Sequence, residues 1–115
     1  MKEGDIVVAP LTQANGLVKN RPALVLRIMP GFGDLLVCGF STKSGQQVAG
    51  FDEVILSSDA DFALSGLATA SLIRLGFLTL LPRGKVAGTI GAVTAERHAR
   101  LLRRLSQYLI EHLGS

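Results

Sequence analysis

Tryptophan is absent from this 115-residue chain, one tyrosine and five phenylalanines are its only aromatics, and charged residues make up just 18% of it. At 5% aromatics, little is available for a platform of rings that stacks the bases of a single strand. Cys38 stands alone, so an intrachain disulfide is impossible and a reducing cytoplasm is the expected compartment. Its apolar neighbours point to a buried, inert thiol. The two histidines, His98 and His112, are surface or interface candidates on one late helix. No spacing of Cys, His and carboxylates suggests a zinc or magnesium site, no Ser-His-Asp arrangement or Walker loop is present, and no cofactor is expected. No stretch nears the roughly 18 apolar residues of a membrane span. The polar opening Met1-Lys2-Glu3-Gly4-Asp5 does not read as a signal peptide. A cytoplasmic protein without membrane attachment is the expectation.

What is there is apolar. Hydrophobic residues reach 48%, enough for a real core, and the length fits one domain. Few charges and a mean hydropathy of +0.39 suggest either that some apolar surface is covered by a partner, such as a second copy of the chain, or simply a well-filled small barrel. The net charge of +3 comes from two groups of cations. Lys19, Arg21 and Lys43 sit in loop-like sequence, and Arg97, Arg100, Arg103 and Arg104 sit near the C-terminus. Such a bias is compatible with nucleic acid without requiring it.

Strand signals dominate up to residue 90. Ile6–Pro10 is short; Ala23–Met29 is a continuous apolar run, as in a strand buried on both faces. Pro30-Gly31-Phe32-Gly33-Asp34 is turn chemistry joining it to Leu35–Phe40 as a hairpin. Residues 41–50 read as a loop, Glu53–Leu56 as a strand and Ser57–Phe62 as a capped helical turn ending near Gly66. From Leu67 to Leu75 the chain alternates, with Thr69, Ser71 and Ile73 on one face and Leu72 and Arg74 on the other. Gly76 marks a bend before Phe77–Leu81, and Val86–Ile90 forms the last strand. Thr94 caps a helix that Gly114 ends. Its stripe of Leu101, Leu105, Tyr108, Leu109 and Leu113 lids one end of the core, and the row Arg97, Arg100, Arg104, Gln107 and Glu111 reads as a solvated face. The fold class is mainly β with a C-terminal helix: one domain, a small bent barrel over 3–92 and a helix over 94–113. Phe40 and Phe51 read as core residues.

Arg21 precedes Pro22, whose fixed φ restrains it where the second strand begins. Counting outward from the Pro30–Gly33 turn, about nine residues lead back to Arg21 and about eight forward to Ser41, so antiparallel pairing sets them nearly side by side. A guanidinium beside a hydroxyl suits phosphoryl transfer without a metal, which rests on positioning and on stabilising charge at the non-bridging oxygens. RNA brings its own nucleophile, the 2′-hydroxyl.

Taken together, Gly4-Asp5-Ile6-Val7-Val8, Arg21-Pro22-Ala23-Leu24-Val25-Leu26, Ser41-Thr42, Ala49-Gly50-Phe51 and Thr89-Ile90-Gly91 before Thr94-Ala95-Glu96 resemble the MazF/PemK (Kid) toxins of bacterial toxin–antitoxin modules. The likeness runs from Glu3 to Leu113. It implies an SH3-like barrel, a homodimer neutralised by a cognate antitoxin, and cleavage of single-stranded RNA through a 2′,3′-cyclic phosphate. By position, Arg21 matches the family's catalytic arginine, Ser41 its hydroxyl residue and Thr42 the neighbour. Lys19, Asn20, Lys43, Gln46, Gln47, Thr69 and Ser71 are the RNA-binding candidates. The PemK branch carries an Arg-x-Asp acid/base pair where this chain has Thr69 and Ser71, which implies a weak enzyme. Gln13-Ala14-Asn15-Gly16 also departs from the first loop of many members. Two other readings use the same barrel without catalysis: a gyrase poison like the CcdB toxins, or an inactive binding module.

Overall fold

Ile6, Leu24, Cys38 and Ile73 are packed on one side of a sheet, and Val7, Ala23, Val37 and Leu81 on the other. This is the alternation expected of strands covered on both faces. The computed structural model describes residues 1–111, the side chain of Ser44 excepted. Among them, six strands form one antiparallel sheet in the order β4-β5-β3-β2-β1-β6. The strands are β1 (Asp5–Thr12), β2 (Val18–Ile28), β3 (Leu35–Ser41), β4 (Glu53–Ile55), β5 (Ser71–Leu81) and β6 (Gly88–Ala92), with helices α1 (Phe62–Ser65) and α2 (Ala95–Ile110). The sheet curls into a half-barrel with a C-terminal helix, the mainly-β class the sequence implied.

Helix α2 begins at Thr94, whose Oγ1 accepts the Arg97 amide at 3.2 Å. Leu101 and Leu105 enter the core with Ile6, Leu24, Leu26, Ile73 and Leu75; this side is the helix face. A smaller core of Val7, Ala9, Leu11, Ala23, Val25, Leu35, Val37 and Leu81 fills the opposite face. Phe40 and Phe51 pack against the first core, as expected. Tyr108 and Leu109 do not complete the lid: both are more than half exposed. His98 Nε2 donates to the Leu26 carbonyl at 2.8 Å, a strut from α2 to β2. The expected positions of His112, Leu113 and Gly114 lie outside the described residues.

Edge strands β4 and β6 do not pair with each other; α1, which follows β4 in the chain, packs against β6. Gly66 ends α1 in the left-handed region at φ 70°. A β-carbon there would strike the Ile90 carbonyl, and one at Gly91 would strike the Ser65 backbone. Backbone therefore rests on backbone where the curl closes.

Several boundaries differ from the sequence reading. β1 and β2 are longer at their shared end, leaving residues 13–17 as the connection, closed by Gln13 N–H to Leu17 O at 2.7 Å. The polar residues there lack strand patterning but pair through the backbone. Arg21 therefore lies inside β2, not at its start. The helical turn falls at Phe62–Ser65, after Ser57–Asp61. β5 starts at Ser71 instead of Leu67, and β6 runs two residues later than expected. Gly76 does mark a dislocation. Gly39 pairs with Arg74 while Cys38 pairs with Leu78, so residues 75–77 fall outside the β3–β5 ladder.

Candidate functional site

The β1–β2 pair continues beyond β3. Ala9 pairs with Arg21, Pro10 with Asn20 and Leu11 with Lys19, whereas the β2–β3 ladder ends at Ala23 and Gly39. Pro22 is the next residue out and has no N–H to extend that ladder. A two-stranded arm results, carrying Lys19, Asn20 and Arg21, all exposed. Arg21 lies two residues from Ala23 and opposite Ala9, both in the smaller core, so alternation directs it to the face away from α2.

Run two residues past Ala23 and Gly39, the β2–β3 register brings Arg21 opposite Ser41. Ser41 Oγ accepts the Lys43 N–H at 3.0 Å, which fixes the hydroxyl while leaving its proton free to donate. Thr42 and Lys43 follow, both exposed, before a 3₁₀ turn at Ser44–Gln46. Gln46 is exposed, and Gln47 Nε2 reaches the Asp52 carbonyl at 3.5 Å. Buried Asp52 anchors this loop: one carboxylate oxygen accepts the Val48 amide at 2.9 Å and the other the Leu75 amide at 3.0 Å. Sequence patterning gave no sign of that anchor.

Thr69 and Ser71 are placed differently. Ser71 is buried at the start of β5 opposite Ile55, and its hydroxyl donates to the Thr69 carbonyl at 2.9 Å. Alternation puts Ser71 on the side of Ile73, the helix face, whereas Arg21 projects from the other. Thr69 is exposed ahead of the strand.

The arginine row of α2 is not a solvated face, and here the expectation needs correction. Glu53 Oε1 accepts Arg97 Nη1 at 2.8 Å, and Oε2 accepts Arg100 Nε at 2.6 Å and pairs with Arg104 Nη1 at 2.8 Å. Arg97 also donates to both oxygens of Asp61, at 2.8 and 3.1 Å. Burial disfavours the Glu53 carboxylate, but the three guanidiniums outweigh it and hold its pKa below the ordinary range. Hydrogen bonding from Arg97 does the same for Asp61. With these charges matched, the cations left without a carboxylate partner among the described residues include Lys19, Arg21 and Lys43. The basic surface next to Ser41 therefore stands out more than the sequence indicated.

An open groove of about 870 Å³ lies on the helix face, lined by Phe51, Leu75, Leu78, Leu105, Tyr108 and Leu109 among others. Its wall is mostly apolar, with Arg103, Arg104, Gln107 and Glu111 also lining it. Among the described residues no cluster of His, Cys, Asp and Glu is arranged to hold a metal ion, and no helix is long and apolar enough to cross a membrane.

A family model described as "PemK-like, MazF-like toxin of type II toxin-antitoxin system" matches residues 2–109. The fold is similar to that of the Mycobacterium tuberculosis toxin MazF-mt6, with a TM-score of 0.65 and 20% identity over 91% of this chain and 95% of that one. An endoribonuclease solved in complex with its cognate antitoxin from a mycobacterial species gives a TM-score of 0.66 at 15% identity, covering 95% and 94% of the two chains. The MazE–MazF complex of Deinococcus radiodurans gives 0.65 at 18% identity, again covering 95% and 94%. No curated protein matches. With the family match spanning nearly its whole length and the half-barrel shared throughout, this chain belongs to the PemK-like, MazF-like toxins of type II toxin–antitoxin systems.

Proposed function

We propose that this toxin is an endoribonuclease that cuts single-stranded RNA without a metal and is silenced by a cognate antitoxin. The observation that supports the reading is the β2–β3 register: continued two residues past its last pair, Ala23 and Gly39, it lines up Arg21, exposed and without a carboxylate partner among the described residues, with Ser41, whose hydroxyl is fixed by the Lys43 amide. In the proposed step the 2′-hydroxyl gives its proton to water and its oxygen bonds to phosphorus as the bond to the 5′-oxygen breaks, the departing oxygen taking a proton back from water. The products are a 2′,3′-cyclic phosphate and a 5′-hydroxyl end. Arg21 stabilises the charge gathering on the non-bridging oxygens, and Ser41, with Thr42 beside it, donates to the scissile phosphate. Lys19, Asn20 and Lys43 flank that position, and Gln46, Gln47 and Thr69 extend the RNA path. Ser71 acts from within the sheet, by holding the Thr69 backbone.

Neither Thr69 nor Ser71 titrates near neutrality, so the acid/base pair of the PemK branch has no counterpart there. A rate about 10²–10⁴ below that of a member with the pair is expected. Antitoxin partnership is supported by family membership and by the complexes of the structural neighbours. Homodimerisation is supported by the exposed Leu78, Leu80, Tyr108, Leu109 and Ile110 on the helix face, a surface suited to a second copy.

Purified protein is incubated with defined RNA, with and without EDTA. EDTA-resistant cuts ending in cyclic phosphates, lost by about 10²–10³ in Arg21→Ala, are expected. Full-rate cleavage by Arg21→Ala removes the mechanism. Gyrase inhibition without RNA cleavage replaces it with the non-catalytic reading.

A further inference from the structure

A second guanidinium without a carboxylate partner among the described residues occupies the face that carries Arg21. β5 pairs Arg74 with Gly39, and Gly39 pairs with Ala23 on β2, so one row crosses the sheet through Ala23, Gly39 and Arg74. Alternation along β2 and β5 puts Arg21 and Arg74 on the same side. The strands bearing them are two spacings apart, about 10 Å. Arg21 lies two residues beyond Ala23 along β2, so the two arginine backbones stand about 12 Å apart, a span from which two long guanidinium side chains reach neighbouring phosphates of one nucleic-acid strand.

Arg74 is half-buried and braced. The dislocation at residues 75–77 returns Phe77 over Gly39, where a β-carbon would lie only 3.2 Å from the ring. The absence of a side chain at Gly39 makes the seat for that ring. Arg74 Cζ then stands 5.6 Å from the Phe77 centroid, within cation–π range. Stacking on the ring leaves the N–H groups at the guanidinium edge unused, and among the described residues no carboxylate pairs with them. Arg97, Arg100 and Arg104 on α2 all have such partners. A half-buried, oriented and unneutralised guanidinium beside another of the same kind is suited to an oligoanion.

We propose that Arg74, braced on Phe77, is a second phosphate-binding site that holds the RNA phosphodiester next to the one engaged by Arg21. This rests on the ribonuclease reading above. The test uses the full chain and a fluorescent 2′-O-methyl copy of an RNA that the wild-type protein cuts, titrated at several salt concentrations. Arg74→Ala is expected to raise Kd about tenfold and to flatten the slope of log K against log salt by about 0.7. On the cleavable RNA, Arg74→Ala lowers kcat/KM mainly through a raised KM, whereas Arg21→Ala lowers kcat. Arg74→Lys restores most of the salt slope, and Phe77→Leu weakens binding while keeping the slope. Arg74→Gln, which retains the stem over the ring, replaces the alanine variant if that one does not fold. A wild type that cuts RNA while Arg74→Ala and Arg74→Gln keep its Kd and salt slope overturns this proposal alone. A wild type that neither binds nor cuts RNA overturns the ribonuclease reading, and the Arg74 site with it.

Discussion

Glu53 on β4 accepts Arg97 Nη1 of α2 at 2.8 Å, and both side chains are about nine-tenths buried. Together with Arg100 and Arg104, this pairing fastens the helix to an edge strand. Replacing Glu53 with glutamine leaves those arginines with a neutral acceptor in a poorly solvated place. Glu53→Gln is expected to cost about 3 kcal/mol, read as a lowered urea midpoint with an unchanged m value. A shift below about 0.5 kcal/mol would mean that the network is mostly solvated.

The same carboxylates set an acid limit. Glu53 and Asp61 hold pKa values below their ordinary 4.5 and 3.8 in the folded chain, so between the two states the unfolded one binds protons first as pH falls. Their contribution is complete above about pH 5 and is lost as pH drops through the depressed folded values. Unfolding measured from pH 7 to pH 3 should show stability flat at first and then falling, and the fall should be shallower in the double variant Glu53→Gln, Asp61→Asn.

Ser41 and Thr42 are separable. Ser41 Oγ is oriented by the Lys43 amide, while Thr42 is exposed with no hydrogen bond to its side chain among the described residues. Ser41→Ala is expected to slow RNA cleavage at least tenfold with the melting temperature nearly unchanged, and Thr42→Ala to slow it less than threefold. The reverse order would move the phosphate contact to Thr42.

Closure of the curl depends on two residues with no side chain. Gly66→Ala or Gly91→Ala drives a methyl into the facing backbone, and Gly66 also needs its left-handed conformation. Each change should lower stability by about 3 kcal/mol, measured by chemical unfolding. A neutral result would show that α1 and β6 separate readily.

Cys38 is fully buried, and that burial pushes its thiol up to about 12. The folded protein should resist alkylation at pH 8 and react at the rate at which it unfolds. Fast native labelling would contradict the packing around β3.

The parts legible in the sequence are those written in short range. Ala23 to Leu26 are four successive apolar residues and form the fully buried centre of β2. Arg21 and Ser41 were relatable because a recognisable turn lets residues be counted outward from it. The ion pairs of Glu53 were not, since Arg97 lies 44 positions away and charges so far apart leave no local pattern. The pairing of residues 10–12 with 18–20 was hidden for another reason: backbone hydrogen bonds impose no side-chain code on a two-stranded arm. Arg74 was assigned to the side of Leu72, but which side bore Arg21 became visible only through the register across three strands.

The arm that overhangs β3 also dictates which insertions the chain tolerates. Extra residues within 13–17 merely enlarge a connection. A single residue added between Val18 and Arg21 would, if pairing with β1 held from the tip, rotate the guanidinium half a turn and deliver it to the side occupied by α2. Only additions in pairs, matched on both strands, preserve its outlook, so lineages of this toxin should differ freely at the hairpin tip and by even numbers along its legs.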